Sequence, residues 1–282
     1  MFDVKQAVLP PADPNKKDHA RKFLSSVSFV SEPVANLLGE TFKALVPEKR
    51  YFMIFIILVV LNIMSSILIF RDDVVLSSPV TGFREGVLYY IFLASLLFWH
   101  EIGHCAAARK FNVRVDDIGG GLYLIFPAFF SRISLLKLLS FRERIIVFST
   151  GIMFQLYASI LMGTVYFFNP WGFLKYAIMM NFILVFLNLL PIFHLDGYRI
   201  LEECLKQIKR EKIKQVIFSL CLMLTIAVIG FFVFMMGSFL LRLTPLVFTS
   251  PSWMNILQFS FVSLILVSIG LSIPKWLKKP HG

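Results

Sequence analysis

Charge is what this chain has least of. Charged residues make up 16% of its 282 positions, where soluble domains carry about a quarter, and stretches such as 51–70 hold none at all. Together with 57% hydrophobic residues and a mean hydropathy of +0.77, this excludes a conventional soluble enzyme. Cysteine is scarce as well. Cys105, Cys204 and Cys221 are odd in number and fall in or near apolar helices at their expected cytosolic ends, which excludes a disulfide framework. Acidic residues number 17 against 28 basic, a net charge of +11. The basic residues lie between the apolar runs rather than in a patch of their own, so nucleic acid is not an expected partner. The first 22 residues hold Lys5, Lys16, Lys17, Arg21 and Lys22 without an apolar core, and no cleavable signal peptide is expected there.

What the chain has instead is long apolar runs. A hydrocarbon core about 30 Å thick needs roughly 20 helical residues. Six segments satisfy this: Tyr51 to Phe70, Val87 to Ala108, Ile145 to Phe168, Trp171 to Pro191, Val216 to Leu241 and Met254 to Ile273. Alternate connecting segments hold 24 Lys and Arg on one side and 4 on the other, and cytoplasmic loops retain the basic residues. The expected arrangement is an all-α, multi-pass protein of the cell membrane with both termini in the cytosol. Its expected parts are a cytosolic segment 1–50, a first span with its external loop over 51–86, a core 87–205, and two accessory spans with a tail over 206–282. Within 1–50, Ser31 and Pro33 open a helix on which Val34, Leu37, Leu38, Phe42 and Leu45 recur at helical spacing. It is expected either to lie on the cytosolic leaflet or to pack on the bundle.

The second run is interrupted by three ionisable residues. His100, Glu101 and His104 form H-E-x-x-H, which on a helix brings both imidazoles to one face with the glutamate beside them. Such groups inside a span cost a few kcal/mol or more unless paired, hydrated or metal-bound. Snorkelling accounts for Arg109 and Lys110 at the helix end but not for two histidines flanking a glutamate. The chemistry this pattern serves is zinc held by His100 and His104, with Glu101 taking a proton from water at the metal.

A catalytic zinc generally has a third protein ligand. Asp196 is the sole acidic residue between Arg144 and Arg199, in NLLPIFHLDGYRIL, where Pro191 breaks the fourth run and Gly197 permits a sharp turn. Counting about 1.5 Å per residue, both His100 and Asp196 arrive at the cytosolic side. Asp196 is the expected third ligand, and His194 is its rival at the same depth. Two histidines and a carboxylate also suit the facial triad of a non-haem iron oxygenase. Zinc is preferred because the intervening glutamate has a hydrolytic role. Cys105 is expected to be a small apolar filler.

H-E-I-G-H in one transmembrane run, followed by N-L-L-P-I-F-H-L-D-G at the end of another, resembles the site-2 protease family of intramembrane zinc metalloproteases. The resemblance covers roughly 87–205, including Gly119 to Gly121 and Phe126-Pro127. The ending Asp196-Gly197-Tyr198 is most similar to the branch linked to maturation or export of bacterial peptides such as bacteriocins. It implies one zinc on His100, His104 and Asp196, Glu101 as the base, and Asn188 against the substrate strand or developing oxyanion. It also implies a membrane-embedded or membrane-associated peptide as substrate, with a peptide exporter as candidate partner. Two departures stand out. Where many members carry G-P-x-x-N, this chain reads Gly151-Ile152-Met153-Phe154-Gln155, placing Gln155 where an amide would meet substrate, and no PDZ-like insertion is present.

Residues 112–126 alternate in part and include Gly119, Gly120 and Gly121. They read either as a strand, hairpin or re-entrant element near the site, with Gly120 beside an unwound substrate added as a strand, or as a cytosolic loop with glycine turns. Two functions of other classes compete with the protease. One is a non-catalytic peptide-binding accessory of an exporter, or an immunity protein. The other is a metal transporter, disfavoured because only one intramembrane ligand cluster is evident.

Overall fold

The computed structural model describes residues 25–70, 83–123, 126–134, 136–170, 172–191 and 195–249. It is mostly helical, with one small sheet. Strand β1 (Ser25–Val30) precedes α1 (Glu32–Phe42), and two short 3-10 turns lead into α2 (Tyr51–Phe70). Then come α3 (Phe83–Lys110), β2 (Val115–Tyr123), β3 (Phe126–Ile133), α4 (Phe141–Phe168), α5 (Gly172–Leu189), α6 (Asp196–Lys206) and α7 (Glu211–Thr249). Among the described residues, three helical stretches are long and apolar enough to cross a membrane: Glu48–Ile69, Tyr90–Lys110 and Phe141–Phe168. The fourth expected run forms the shorter apolar helix α5, the fifth falls within α7, and the sixth, Met254 to Ile273, lies outside the described residues, as does His194.

The helix ends follow from local chemistry. α3 stops in a Schellman motif: Asn112 adopts φ 55°, its N–H bonds Arg109 O at 3.1 Å, and Val113 N–H reaches back to Ala108 O at 2.8 Å. Asparagine tolerates this left-handed conformation better than most residues, and the motif turns the chain sharply from α3 into β2. α4 begins four residues before the expected Ile145, at Phe141. A capping box sets that start, with Ser140 N–H donating to Glu143 Oε2 at 2.7 Å and Glu143 N–H to Ser140 Oγ at 3.4 Å. α5 ends two residues before Pro191, whose ring disfavours helical geometry in the residue ahead of it.

The described residues form two compact units, one within 1–60 and 96–157 and the other within 61–95 and 158–249. The first holds the sheet, in order β1-β2-β3 and antiparallel throughout. The glycines of 119–121 are therefore not turns but the middle of a central strand, with Gly119 paired to Ser28 on one side and Phe130 on the other. A side chain at Gly119 would collide with the Phe130 ring and with Val27 O at 2.8 Å. Phe29 stacks edge-on to Phe129, with ring centroids 5.4 Å apart, and meets Phe98 of α3 at 6.1 Å.

α1 packs on this unit through its small residues. Ala35 and Gly39 are buried, and a Cβ at Gly39 would meet Cys105 O at 2.7 Å and Arg109 Cγ at 2.5 Å. Asn36 clamps β2, donating to Val115 O at 2.7 Å and accepting from Val115 N–H at 3.1 Å. The expected apolar stripe is split. Phe42 turns inward against Trp99, while Val34, Leu37 and Leu45 remain exposed. The helix thus packs on the bundle with its small face and still presents an apolar one. Packing on the bundle was one of the two expected arrangements; periodicity of large residues did not show that the small face makes the contact, because close packing onto a helix end selects small residues.

In the second unit, Asn181 of α5 donates to Ser159 Oγ of α4 at 2.7 Å, and both residues are buried. α6 closes on the end of α5. A side chain at Gly197 would strike Leu189 O and come within 2.5 Å of Leu190 O. Its φ is not positive, so the expected sharp turn is corrected to a close helix-on-carbonyl approach, for which only glycine is small enough.

Candidate metal centre

The centre is built by α3 and α4 within the first unit. The two helices touch backbone to backbone: a Cβ on Gly103 would lie 2.6 Å from Thr150 O and 3.0 Å from Gly151 Cα. Small residues allow such an approach between membrane helices. Trp99 Nε1–H donates across the same contact to Phe154 O at 2.8 Å, and Ala106, Ala107 and Ala108 are wholly buried.

His100, Glu101 and His104 are all buried, at 5%, 8% and 6% exposure. Each residue can offer a ligand atom lying within 4.8 Å of the others. The imidazoles meet edge to face with their Nε2 atoms 3.1 Å apart. Their other nitrogens are engaged by α4: His104 Nδ1 faces Val147 O at 2.8 Å, and His100 Nδ1 faces Gln155 Oε1 at 3.1 Å. With Nδ1–H donating in both rings, both Nε2 lone pairs point at one spot. Two lone pairs at that separation repel unless a cation or proton lies between them.

A zinc ion fits this spot. Two imidazole nitrogens bound to one tetrahedral zinc at about 2.05 Å lie about 3.3 Å apart, close to what is seen. The space is cleared by Gly151, where any Cβ would stand 2.6 Å from His104 Nε2 and 2.7 Å from His100 Nε2. Val147, Gly151 and Gln155, spaced four apart, thus form one stripe of α4 that orients both rings and keeps the gap between them open.

The other expected residues are distributed as follows. Asp196 belongs to the second unit, buried in the first turn of α6. Asn188, also in that unit, is half-buried in the last turn of α5. Gly120 sits mid-strand, where a Cβ would meet the Phe29 ring at 3.2 Å and the Phe129 ring at 3.4 Å. Gln155 is fully buried with its amide oxygen on His100, a contact that sequence reasoning did not foresee. Cys105 is wholly buried and free, consistent with a packing role. Sequence reasoning also missed Val147 and Gly151. Val147 acts through its backbone, which no residue type announces. Gly151 did carry a signal: a glycine inside an apolar helix implies close approach.

Comparison with known proteins adds a second, separate line. Residues 167–233 match the model of Peptidase family M50. The matched segment holds Asn188 and Asp196 but not His100 to His104, so the geometry of one motif and the family match of the other were found independently. The chain is also 31% identical over 160 residues to a protein of Bacillus subtilis (strain 168) named "Putative peptide zinc metalloprotease protein YydH". That alignment takes in 55% of this chain and spans about six-tenths, 61%, of the relative. Both findings support a site-2-type metalloprotease, and together with the apolar helices they support a membrane protein.

Proposed function

We propose that this chain is a multi-pass intramembrane zinc metalloprotease that cuts membrane-embedded or membrane-associated peptides near the cytosolic leaflet, with both termini in the cytosol. The observation that carries the reading is the pair of buried imidazoles whose Nε2 atoms converge at 3.1 Å on a space cleared by Gly151, with Glu101 alongside. His100 and His104 are two zinc ligands, and Asp196 is the third.

Bound zinc supplies a Lewis acid, polarising the scissile carbonyl and bringing the pKa of ligated water toward about 7. The chain's own residues supply the remainder. The Glu101 carboxylate accepts the proton of the attacking water and returns it to the leaving amine. Burial of α3 and α4 around the centre excludes bulk water and strengthens each electrostatic contact. A helical peptide bond is shielded by its own hydrogen bonding, so the substrate must be unwound before attack. The sheet offers edge strands β1 and β3 on which an extended segment can pair. The relative's name mentions a peptide, in keeping with a peptide as substrate. Asn188 is then the group that holds the substrate strand or its oxyanion.

The test is metal content and cleavage measured together in membranes containing a candidate peptide. Glu101→Gln keeps stoichiometric zinc and loses cleavage by about 100-fold or more, the range general acid–base groups contribute. Asp196→Ala and His100→Ala lose zinc. Full cleavage by Glu101→Gln would remove the proteolytic reading, and full zinc in Asp196→Ala would remove Asp196 from the ligand set.

A further inference from the structure

We propose that Gln155 is the positioning residue that fixes the tautomer of His100 and thereby aims its Nε2 lone pair at the metal. The inference rests on the zinc reading above and concerns how the site is held ready. A neutral imidazole carries one N–H and one lone pair, and the hydrogen bond at one nitrogen decides which the other presents.

For His104 the decision is made by the backbone. Val147 O, 2.8 Å from Nδ1, can only accept, so Nδ1 carries the proton and Nε2 the lone pair. For His100 the partner is a side chain rather than the backbone. Its Nδ1 meets the Gln155 side chain at 3.1 Å, and a primary amide can present either an acceptor oxygen or a donor NH2. The two choices have opposite outcomes. With Oε1 inward, both Nε2 lone pairs converge and the site is ready for a cation. With NH2 inward, His100 would carry its proton on Nε2, pointing at His104 Nε2 3.1 Å away, and the two rings would close the site by bonding each other. The structure has Oε1 inward.

Burial gives that choice its leverage. Gln155 is wholly buried, and it projects from α4 one turn beyond Gly151, so the residue that holds the ring and the residue that clears the space are set by one rigid helix. An apolar side chain of the same length would fill the volume and remove that acceptor from His100 Nδ1. An ionised glutamate would fill it and could only accept.

The experiment measures zinc affinity of the purified full chain in lipid nanodiscs by competition with a chromophoric chelator, for the wild type, Gln155→Met and Gln155→Glu. Met is expected to weaken zinc by about 10- to 100-fold, the usual cost of losing a ligand's supporting group, and Glu to restore wild-type affinity to within about threefold or exceed it. A purely structural role would not separate these two variants in that order. Wild-type affinity in Gln155→Met, or equal weakening in both, overturns the inference. A wild type that binds no zinc overturns the reading of the site instead. Should Gln155→Met fail to fold, nitrogen NMR of 15N-histidine-labelled, zinc-loaded wild type decides: both site imidazoles protonated at Nδ1 support the proposal, and a deprotonated Nδ1 on His100 overturns it.

Discussion

α2 and α4 are both long apolar helices, yet they face different solvents. Only 11% of the most apolar window in Glu48–Ile69 is buried within the protein, against 78% in Phe141–Phe168. On α2 a thin stripe of Tyr51, Leu58 and Asn62 turns inward, and Ile56, Met64, Ile67 and Leu68 stand exposed. On α4 the buried set includes Ser149, Thr150, Gln155 and Ser159. Hydropathy therefore reports that a segment enters a membrane, while the small and polar residues tucked among the apolar ones report which side of it meets protein. The helix with the plainest membrane signature adds nothing to the histidine pair, and the more mixed one holds both rings and clears the space between them.

The contrast can be broken most sharply at Gly151. Replacing it with alanine presses a methyl against both Nε2 atoms and is expected to weaken zinc on the order of 100-fold or more, at or beyond the upper end of outer-shell effects. Ile67→Ala on the lipid side of α2, 62% exposed, is expected to leave zinc unchanged and stability within about 0.5 kcal/mol. Chelator competition and thermal unfolding on the two variants check both. Equal zinc affinity in the two would mean that the stripe on α4 has no bearing on the metal.

A smaller effect is expected where the two helices meet. Tyr51 OH lies 2.9 Å from Ser149 Oγ and 3.2 Å from Thr150 Oγ1. Both hydroxyls have a carbonyl acceptor in their own helix, at Ile145 and Ile146. Tyr51→Phe removes the cross-helix bonds without stranding either hydroxyl and should cost about 1 kcal/mol, read as a lowered midpoint in denaturant-induced unfolding. An unshifted midpoint would reduce the contact to simple packing.

The smallest effect lies outside both helices. Lys43, and then Arg109, beside Glu40 hold its carboxyl below the usual carboxylate range. A carboxyl whose folded pKa lies under its unfolded one stabilises the fold above the ordinary pKa near about 4.3, and loses that contribution as pH falls through the folded value. The pair is partly exposed, so it is worth at most about 1 kcal/mol. Hydrogen exchange over Glu32–Phe42 should quicken as pH drops below about 4 relative to Glu40→Gln, once intrinsic exchange is corrected. Parallel profiles would remove the ion pair from the account of how α1 is held.

The spans of α2 and α3 and the histidine pair were legible because each rests on a strong one-dimensional signal, an uninterrupted apolar run or an i, i+4 spacing. The hairpin of β2 and β3 was legible only in part, since glycines in a row read equally well as turns. β1 was not foreseen. Ser25 to Val30 is short, and its partner lies far along the chain, so no local pattern could name it. The start of α4 could have been read from Ser140 and Glu143, a capping signature passed over in favour of hydropathy. The task of Gln155 was out of reach, because its partner is defined by how closely Gly103 and Gly151 let two helices approach, a distance no single position encodes.

The order of the sheet has one further consequence. β1 is synthesised before α2, whereas its neighbour β2 emerges only after α3. The pairing of Val27 with Gly120 therefore cannot form until α1, α2 and α3 have all been made. The three-stranded ribbon thus ties the chain ahead of α1 to the chain beyond α3, closing a loop around all three helices that no local contact could close.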